Sequence, residues 1–308
     1  MRIVFMGTPE FAVPSLEGLA EAGHQVVGVF SQPDRPVGRH HNKLQPTPVK
    51  ACALARDIPV YQPETLRDGT ALAVLRELEP DLIVVAAYGR FLPDDILALP
   101  PKGCVNVHSS LLPKYRGSAP INWAILNGER VTGVTIQRMV RDMDAGDIIL
   151  QRAVRIGKTE DAAALYDRLA QLGGELAVKA AAQIQAGTAA YTHQDHTQAT
   201  QAPMLSKAMS PVDWTRSAQE IVNQIRGLYP WPGASTTAIT GEPIKLWVAQ
   251  VVEKHTDALP GTVIAADWGG IDMACGDGQV LRILELQAPG KKRMTAAAYL
   301  AGNPIQVC

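Results

Sequence analysis

Apolar and polar positions follow two periods along the first half of the chain. Runs at Arg2 to Gly7, His24 to Ser31, Ile58 to Tyr61, Asp81 to Ala86 and Cys104 to His108 read as strands. Between them, Glu10 to Ala22, Pro48 to Arg56 and Gly69 to Leu78 are amphipathic at helical spacing. Strand and helix in alternation predict right-handed crossovers and a mostly parallel sheet. Val131 to Met139 and Asp147 to Ile156 then read as a strand pair joined through Arg141 to Gly146. A helix rich in Ala and Leu follows, from about Thr159 to Ala186.

From Thr188 to Pro211 the periodicity dissolves into Thr, Gln, Ala and His and ends in prolines, the composition of an interdomain linker. We place that linker at 188–205, between domains 1–187 and 206–308. Beyond it, a helix around Ser217 to Leu228 leads through Pro230-Trp231-Pro232-Gly233 to short runs near Ser235 to Thr240, Ile244 to Val252, Gly261 to Ala266, Gly270 to Ala274 and Gln279 to Leu286. Short strands separated by turns predict a small antiparallel domain of barrel type. No internal repeat stands out.

Composition narrows this picture. A hydrophobic fraction of 46% with 19% charged residues is ordinary for a globular protein. No run reaches about 18 uninterrupted apolar residues, and the N-terminus enters a strand at once. A soluble, non-exported, cytoplasmic protein is expected. Cys52, Cys104, Cys275 and Cys308 are scattered, which predicts reduced thiols and neither a zinc site nor a disulfide framework. The net charge of −1 gives no support for a nucleic-acid partner, so any such contact must rest on local basic clusters.

The candidate chemistry lies at Asn106, His108 and Asp144. Strand alternation puts Asn106 and His108 on one face with Val107 between them, and a strand's carboxyl end is where open α/β sheets bind ligands. Asp144, in Asp142-Met143-Asp144-Ala145-Gly146-Asp147, is a loop residue able to reach the same place. Acyl transfer needs donors aimed at a developing oxyanion and an acceptor for the nucleophile's proton. Asn106 and His108 supply the donors and Asp144 the acceptor, which suits transfer of a one-carbon acyl unit to an amine. A dinucleotide site is disfavoured, because Gly7 is the only glycine of the Gly-x-Gly-x-x-Gly pattern after the first strand. Gly7 is expected to serve a tight turn and Thr8 to cap the helix before Pro9.

Four segments carry a resemblance: Arg2 to Phe11, Asn106 to Gly117, Asp142 to Asp147, and Ile225-Arg226-Gly227-Leu228-Tyr229-Pro230-Trp231-Pro232-Gly233-Ala234. Together they resemble the 10-formyltetrahydrofolate-dependent formyltransferase family, over essentially the whole chain. The branch that matches best formylates methionyl-tRNA. The resemblance implies a Rossmann-like α/β domain followed by an OB-like β-barrel. It also implies 10-formyltetrahydrofolate as cosubstrate with no metal, and initiator methionyl-tRNA as acceptor for translation initiation. Neither DNA nor a membrane is implied, and a monomer is expected.

In that family Ser110-Leu111-Leu112-Pro113 lines the folate site, largely through backbone and apolar contacts. Tyr88, Phe91 and Leu92, in Ala87 to Pro93, would form the other wall, although Phe91 and Leu92 read equally well as core. The polar insertion Pro33 to Leu44 corresponds to a loop that wedges into the acceptor end of the tRNA, with Arg39 as its matching arginine and Lys43 beside it. Here His40-His41-Asn42-Lys43 replaces the basic run common after that arginine. Adjacent histidines seldom both face one ion, so His40 and His41 are not read as metal ligands. Further phosphate contacts are expected from Lys207, Arg226 and the cluster Lys291-Lys292-Arg293. Formyl transfer to an amino-sugar nucleotide, hydrolysis of formyltetrahydrofolate, or plain tRNA binding are the alternatives. Plain binding leaves the grouping of Asn106, His108 and Asp144 unexplained.

Overall fold

The computed structural model describes residues 1–37, 43–305 and 307. The chain divides into two compact units. The first holds Met1–Pro120, Thr132–Val154 and Tyr166–Ala202, and the second holds Ile121–Val131, Arg155–Leu165 and Pro203–Cys308. The stretch expected as a linker is therefore part of the first unit as far as Ala202.

In chain order the elements as far as Ala186 are β1 (Arg2–Gly7), α1 (Val13–Glu21), β2 (Gln25–Phe30), β3 (Arg35–Val37), β4 (Lys43–Gln45), α2 (Pro48–Leu54), β5 (Val60–Tyr61), α3 (Thr70–Leu78), β6 (Leu82–Ala86), α4 (Asp94–Leu97), β7 (Cys104–His108), α5 (Pro120–Leu126), β8 (Val131–Arg138), β9 (Ile148–Arg155) and α6 (Ala162–Ala186). The main sheet runs β5-β2-β1-β6-β7-β8-β9. Its members from β5 to β7 are parallel, and β8 returns antiparallel on β7. Val4, Met6, Ile83, Val85 and Cys104 pack on Leu72, Leu75 and Ile96 in one buried cluster. Burying such side chains contributes about 1.5–3 kcal/mol each.

Strand order reverses between β1 and β6, the switch point where doubly wound folds bind ligands. Here side chains tie the loops together. The Thr8 hydroxyl donates to the Tyr88 carbonyl at 3.1 Å and accepts from Gln32 N at 3.3 Å, and Gln32 Nε2 donates to the same carbonyl at 3.1 Å. Thr8 thus serves inter-loop bonding and makes no helix cap, the following turn having none from a side chain. The polar insertion leaves the sheet through the two-stranded ladder β3-β4, and residues 38–42, Arg39 among them, lie outside the described residues.

The second unit adds α7 (Ala218–Gly227), β10 (Ala234–Thr236), β11 (Ile244–His255), β12 (Val263–Asp267), β13 (Gly270–Ala274), β14 (Gln279–Gln287), β15 (Met294–Thr295) and α8 (Ala296–Leu300). Its antiparallel strands run β10-β11-β14-β13-β12 with β15 on β14. Among the described residues no pairing joins β10 to β12, so the barrel-like sheet stays open. A capping box between Ser217 and Glu220 starts α7. The helix buries Ile221, Val222 and Ile225 against Leu246, Met273 and Ile283.

Candidate active site

Asn106 and His108 leave the same face of β7, while Val107 points the other way. On that side Gly173 of α6 permits a close approach, since a Cβ there would sit 2.9 Å from Val107 Cγ1. His108, at the carboxyl end of the strand, is 5% exposed. Its Nε2 lies 2.9 Å from the Tyr115 carbonyl oxygen, which only accepts, so Nε2 carries the hydrogen. Nδ1 turns to Asp144, 3.6 Å from Oδ1.

Asp144 occupies the left-handed region with φ 51, which costs about 1–3 kcal/mol and persists only where its surroundings fix it. They do. Gln137 Nε2 donates to Oδ1 at 2.8 Å, Gly117 N donates to Oδ2 at 2.9 Å, and Asn106 Nδ2 approaches Oδ1 at 3.5 Å. Gln194 Nε2 donates to the main-chain oxygens of Asp144 at 2.9 Å and Gly146 at 2.6 Å. Gly117, at φ 115, is needed where it stands because a Cβ would meet the Ala202 carbonyl at 2.9 Å.

Across the ladder, Asn106 faces Gln137 and His108 faces Thr135. The Thr135 hydroxyl donates to Ser110 O at 2.6 Å and accepts from Leu112 N and Gln151 Nε2, at 3.2 and 2.8 Å. One side chain thereby fixes the loop after β7. Ser110 and Leu112 are buried, and the Ser110 hydroxyl donates to Lys114 O at 2.6 Å. Leu111 and Pro113 are partly exposed.

A cleft of about 630 Å³ is lined by Arg67, Phe91, Leu92, Pro93, Asp94, Asp95 and Arg141. Arg141 immediately precedes the turn from Asp142 to Ala145 that carries Asp144. Phe91 is 62% exposed, whereas Leu92 also packs in the core. Tyr88 is in that core too, with its hydroxyl buried and unpaired among the described residues, and burial raises its phenol above the ordinary range. Cys104, on the same strand as His108, is pushed up to about 12 by burial and remains a thiol. Among the described residues no group of three His, Cys, Asp or Glu side chains is placed to hold a metal ion.

The structure thus gathers Asn106, His108 and Asp144, and it puts Phe91 and Leu92 in the cleft wall. Sequence reasoning missed Gln137, Thr135, Tyr115, Gly117 and Gln194. Two of these left a signal, because Thr135 and Gln137 are polar residues two apart that flank the apolar Ile136, so strand alternation puts them on one face.

The basic residues fare differently. Lys207, Lys291 and Lys292 are exposed on the second unit. Arg293 is held by Glu285 at 2.6 Å and by the Tyr229 hydroxyl at 3.2 Å. The Arg226 guanidinium donates to Gly157 O and Glu160 O, each at 3.0 Å, and to Asn223 Oδ1 at 2.8 Å, with its Nε unpaired among the described residues. Nothing is described of the Lys43 side chain, and Arg39 lies outside the described residues.

The strand order and the polar cluster at the end of β7 define a doubly wound α/β protein with its site on the carboxyl side of the sheet. A family model for formyl transferase matches residues 1–181, and one for the formyl transferase C-terminal domain matches residues 204–304. The chain belongs to the formyl transferase family. Methionyl-tRNA formyltransferase of Alkaliphilus oremlandii is 49% identical over 306 residues, covering 99% of this chain and 98% of that protein. The enzyme of the same name from Trichlorobacter lovleyi is 48% identical over 304 residues, with 99% and 95% covered. Among solved structures, the N-formyltransferase from Helicobacter canadensis, in complex with folinic acid and dTDP-3-aminofucose, superposes with a TM-score of 0.69 at 19% identity over 93% of this chain and 98% of that one. HypX from Aquifex aeolicus, in complex with tetrahydrofolic acid, gives 0.64 at 19% identity over 100% and 48%. At such identities these two establish the fold. No helix among the described residues is long and apolar enough to cross a membrane.

Proposed function

We propose that this chain transfers the formyl group of 10-formyltetrahydrofolate to the α-amine of methionyl-tRNA, the initiator species used to begin translation. The observation that carries the chemistry is the convergence of an amide, an imidazole and a carboxylate at the end of β7. Near-complete alignment with methionyl-tRNA formyltransferases supports the choice of acceptor.

The cleft suits the donor. Its volume lies within the roughly 300–1,000 Å³ typical of small-molecule sites. Phe91, Leu92 and Pro93 offer an apolar wall for a flat heterocycle, and Arg67 and Arg141 offer cations for a carboxylate tail. Because Tyr88, Ser110 and Leu112 bury their side chains, their part in holding folate falls to the main chain, with Leu111 and Pro113 adding apolar surface. The folate supplies an activated one-carbon acyl group when bound.

The residues of the chain do the rest. Nε2 of His108 is committed to Tyr115, so Nδ1 is the ring nitrogen that gives or takes a proton. With a proton on Nδ1 it donates to negative charge developing on the formyl oxygen, and Asn106 Nδ2 donates beside it. Asp144 orients this pair and accepts the amine's proton, directly or through water. Collapse of the oxyanion breaks the bond from the formyl carbon to N10, and that proton passes to N10 as tetrahydrofolate leaves. An α-amine titrates near ~7.7–8.0, so a small environmental push gives the neutral nucleophile.

In this reading the first unit performs the chemistry, and the second, with Lys207, Lys291 and Lys292, contacts tRNA phosphates together with Arg39 and Lys43 of the polar insertion. The chain acts as a cytoplasmic monomer. The test is a formylation assay offering charged initiator tRNA, charged elongator tRNA and an amino-sugar nucleotide in parallel. Formyl transfer is expected on the charged initiator tRNA. Preferential transfer to the sugar nucleotide, or release of tetrahydrofolate at the same rate without any acceptor, would overturn the assignment.

A further inference from the structure

The segment between Thr192 and Ala202 supplies no group to the reaction described above, yet it is stitched into the site at both ends. Thr192 exchanges two backbone hydrogen bonds with Ile148, each 2.8 Å. Arg116 N donates to Thr200 O at 2.8 Å, Ala202 N donates to Arg116 O at 2.7 Å, and Tyr115 N donates to the Thr200 hydroxyl at 2.9 Å. The same tripeptide, Tyr115 to Gly117, holds His108 through Tyr115 O and Asp144 through Gly117 N.

Gln194 lies inside this frame, 2% exposed. Its amide has one possible orientation. Oε1 accepts from Arg116, whose guanidinium only donates, at 2.7 Å, and Nε2 faces the carbonyls of Asp144 and Gly146, which only accept. Nε2 also stands 3.4 Å from Gln137 Oε1, and the other end of that amide donates to Asp144 Oδ1. The bonds therefore run in one direction, from a buried cation through two carboxamides to the carboxylate. Chains of this kind polarise one another in a low-dielectric interior. Arg116 is buried, its guanidinium has Gln194 and His196 as side-chain partners, and its Nε is buried and unpaired among the described residues.

We infer that Gln194 is a positioning residue for formyl transfer: with Arg116 behind it, it holds the Asp144 turn in its left-handed conformation and sets the carboxylate against His108. The inference rests on the role proposed above for Asp144. It makes the segment as far as Ala202 part of the active centre.

The test uses the full chain. Gln194→Ala is expected to lower kcat on the order of tenfold or more while leaving KM for folate within about twofold. In an Asp144→Asn background the same change is expected to have less than about a twofold effect, because its action runs through that carboxylate. Gln194→Glu keeps the size and the acceptor for Arg116 but loses the donors, and is expected to be as damaging as the alanine. It also serves should Gln194→Ala fail to fold. A second readout needs no substrate: the amide proton of Gly117, bonded to Asp144, should exchange at least ~10-fold faster in either variant, while those of Val105 and Val107 keep their rates. Equal losses in the two backgrounds, or an unchanged Gly117 amide, would overturn the positioning role. Absence of formylation by the unsubstituted chain would instead strike the proposed reaction, with the exchange measurement still deciding the role of Gln194.

Discussion

At His108 one ring nitrogen is bound to Tyr115 and the other faces Asp144, so each residue of the pair has a task the other cannot take over. His108→Ala and Asp144→Asn are each expected to lower kcat by at least ~10², because both act where charge and protons move in the transition state. Circular dichroism must show the fold intact. Near-normal turnover in a folded Asp144→Asn protein would remove Asp144 from the mechanism. Gly117→Ala should cost about 1–3 kcal/mol of stability, read as a lowered Tm, and reduce kcat as well, since its amide holds Asp144. Asn106 and His108 were legible in the sequence because alternation along one strand puts both on one face. Asp144 was legible as a loop carboxylate in a segment with a family resemblance. Gln194 was not. It bonds to Asp144 across 50 positions, and glutamine in a Thr-, Gln- and Ala-rich stretch carries no signal of its own.

Apart from α4 and α5, which the pattern did not show, the main-sheet strands and the longer helices as far as Ala186 were legible nearly to their ends, because buried parallel strands and amphipathic helices differ sharply in period. The short β3, β4, β15 and α8 were not. The three strands are two or three residues long, too short for a period to emerge, and α8 is a helix of little more than one turn. The stretch 188–205 looked like a linker because its ties to the first unit, by backbone and by the Gln194 side chain, join residues far apart in sequence, which composition does not report. The start of α7 yields a pH prediction. Arg216 and Ser217 bond to Glu220 and hold its carboxyl down at about 2. A depressed carboxyl adds stability that is complete above its unfolded value, near ~4.3, and is lost as pH falls through the folded one. Glu220→Ala should therefore cost about 0.3–1.5 kcal/mol at neutral pH, seen as a lower Tm. The gap in Tm from the parent chain should close between pH ~4.3 and about 2. A gap that is constant with pH would show that the charge on Glu220 contributes nothing to the cap.

For the whole molecule, a net charge of −1 means that attraction to tRNA must come from local clusters. Replacing Lys291 and Lys292 together by alanine should raise KM for methionyl-tRNA and flatten its dependence on salt, leaving KM for folate unchanged. Arg226→Ala should act otherwise, lowering stability through the three hydrogen bonds it removes, with no loss of salt dependence. Equal salt slopes for the lysine variant and the parent would place the phosphate contacts elsewhere. The central claim, that Asp144 and its neighbours carry formyl from folate to the methionyl amine, is tested most directly by single-turnover transfer with enzyme in excess over charged initiator tRNA. Formylmethionyl-tRNA should form in one exponential phase, slowed at least ~10² by Asp144→Asn with tRNA binding unchanged. No formylmethionyl-tRNA from the parent chain, or the same rate from the variant, would contradict the account.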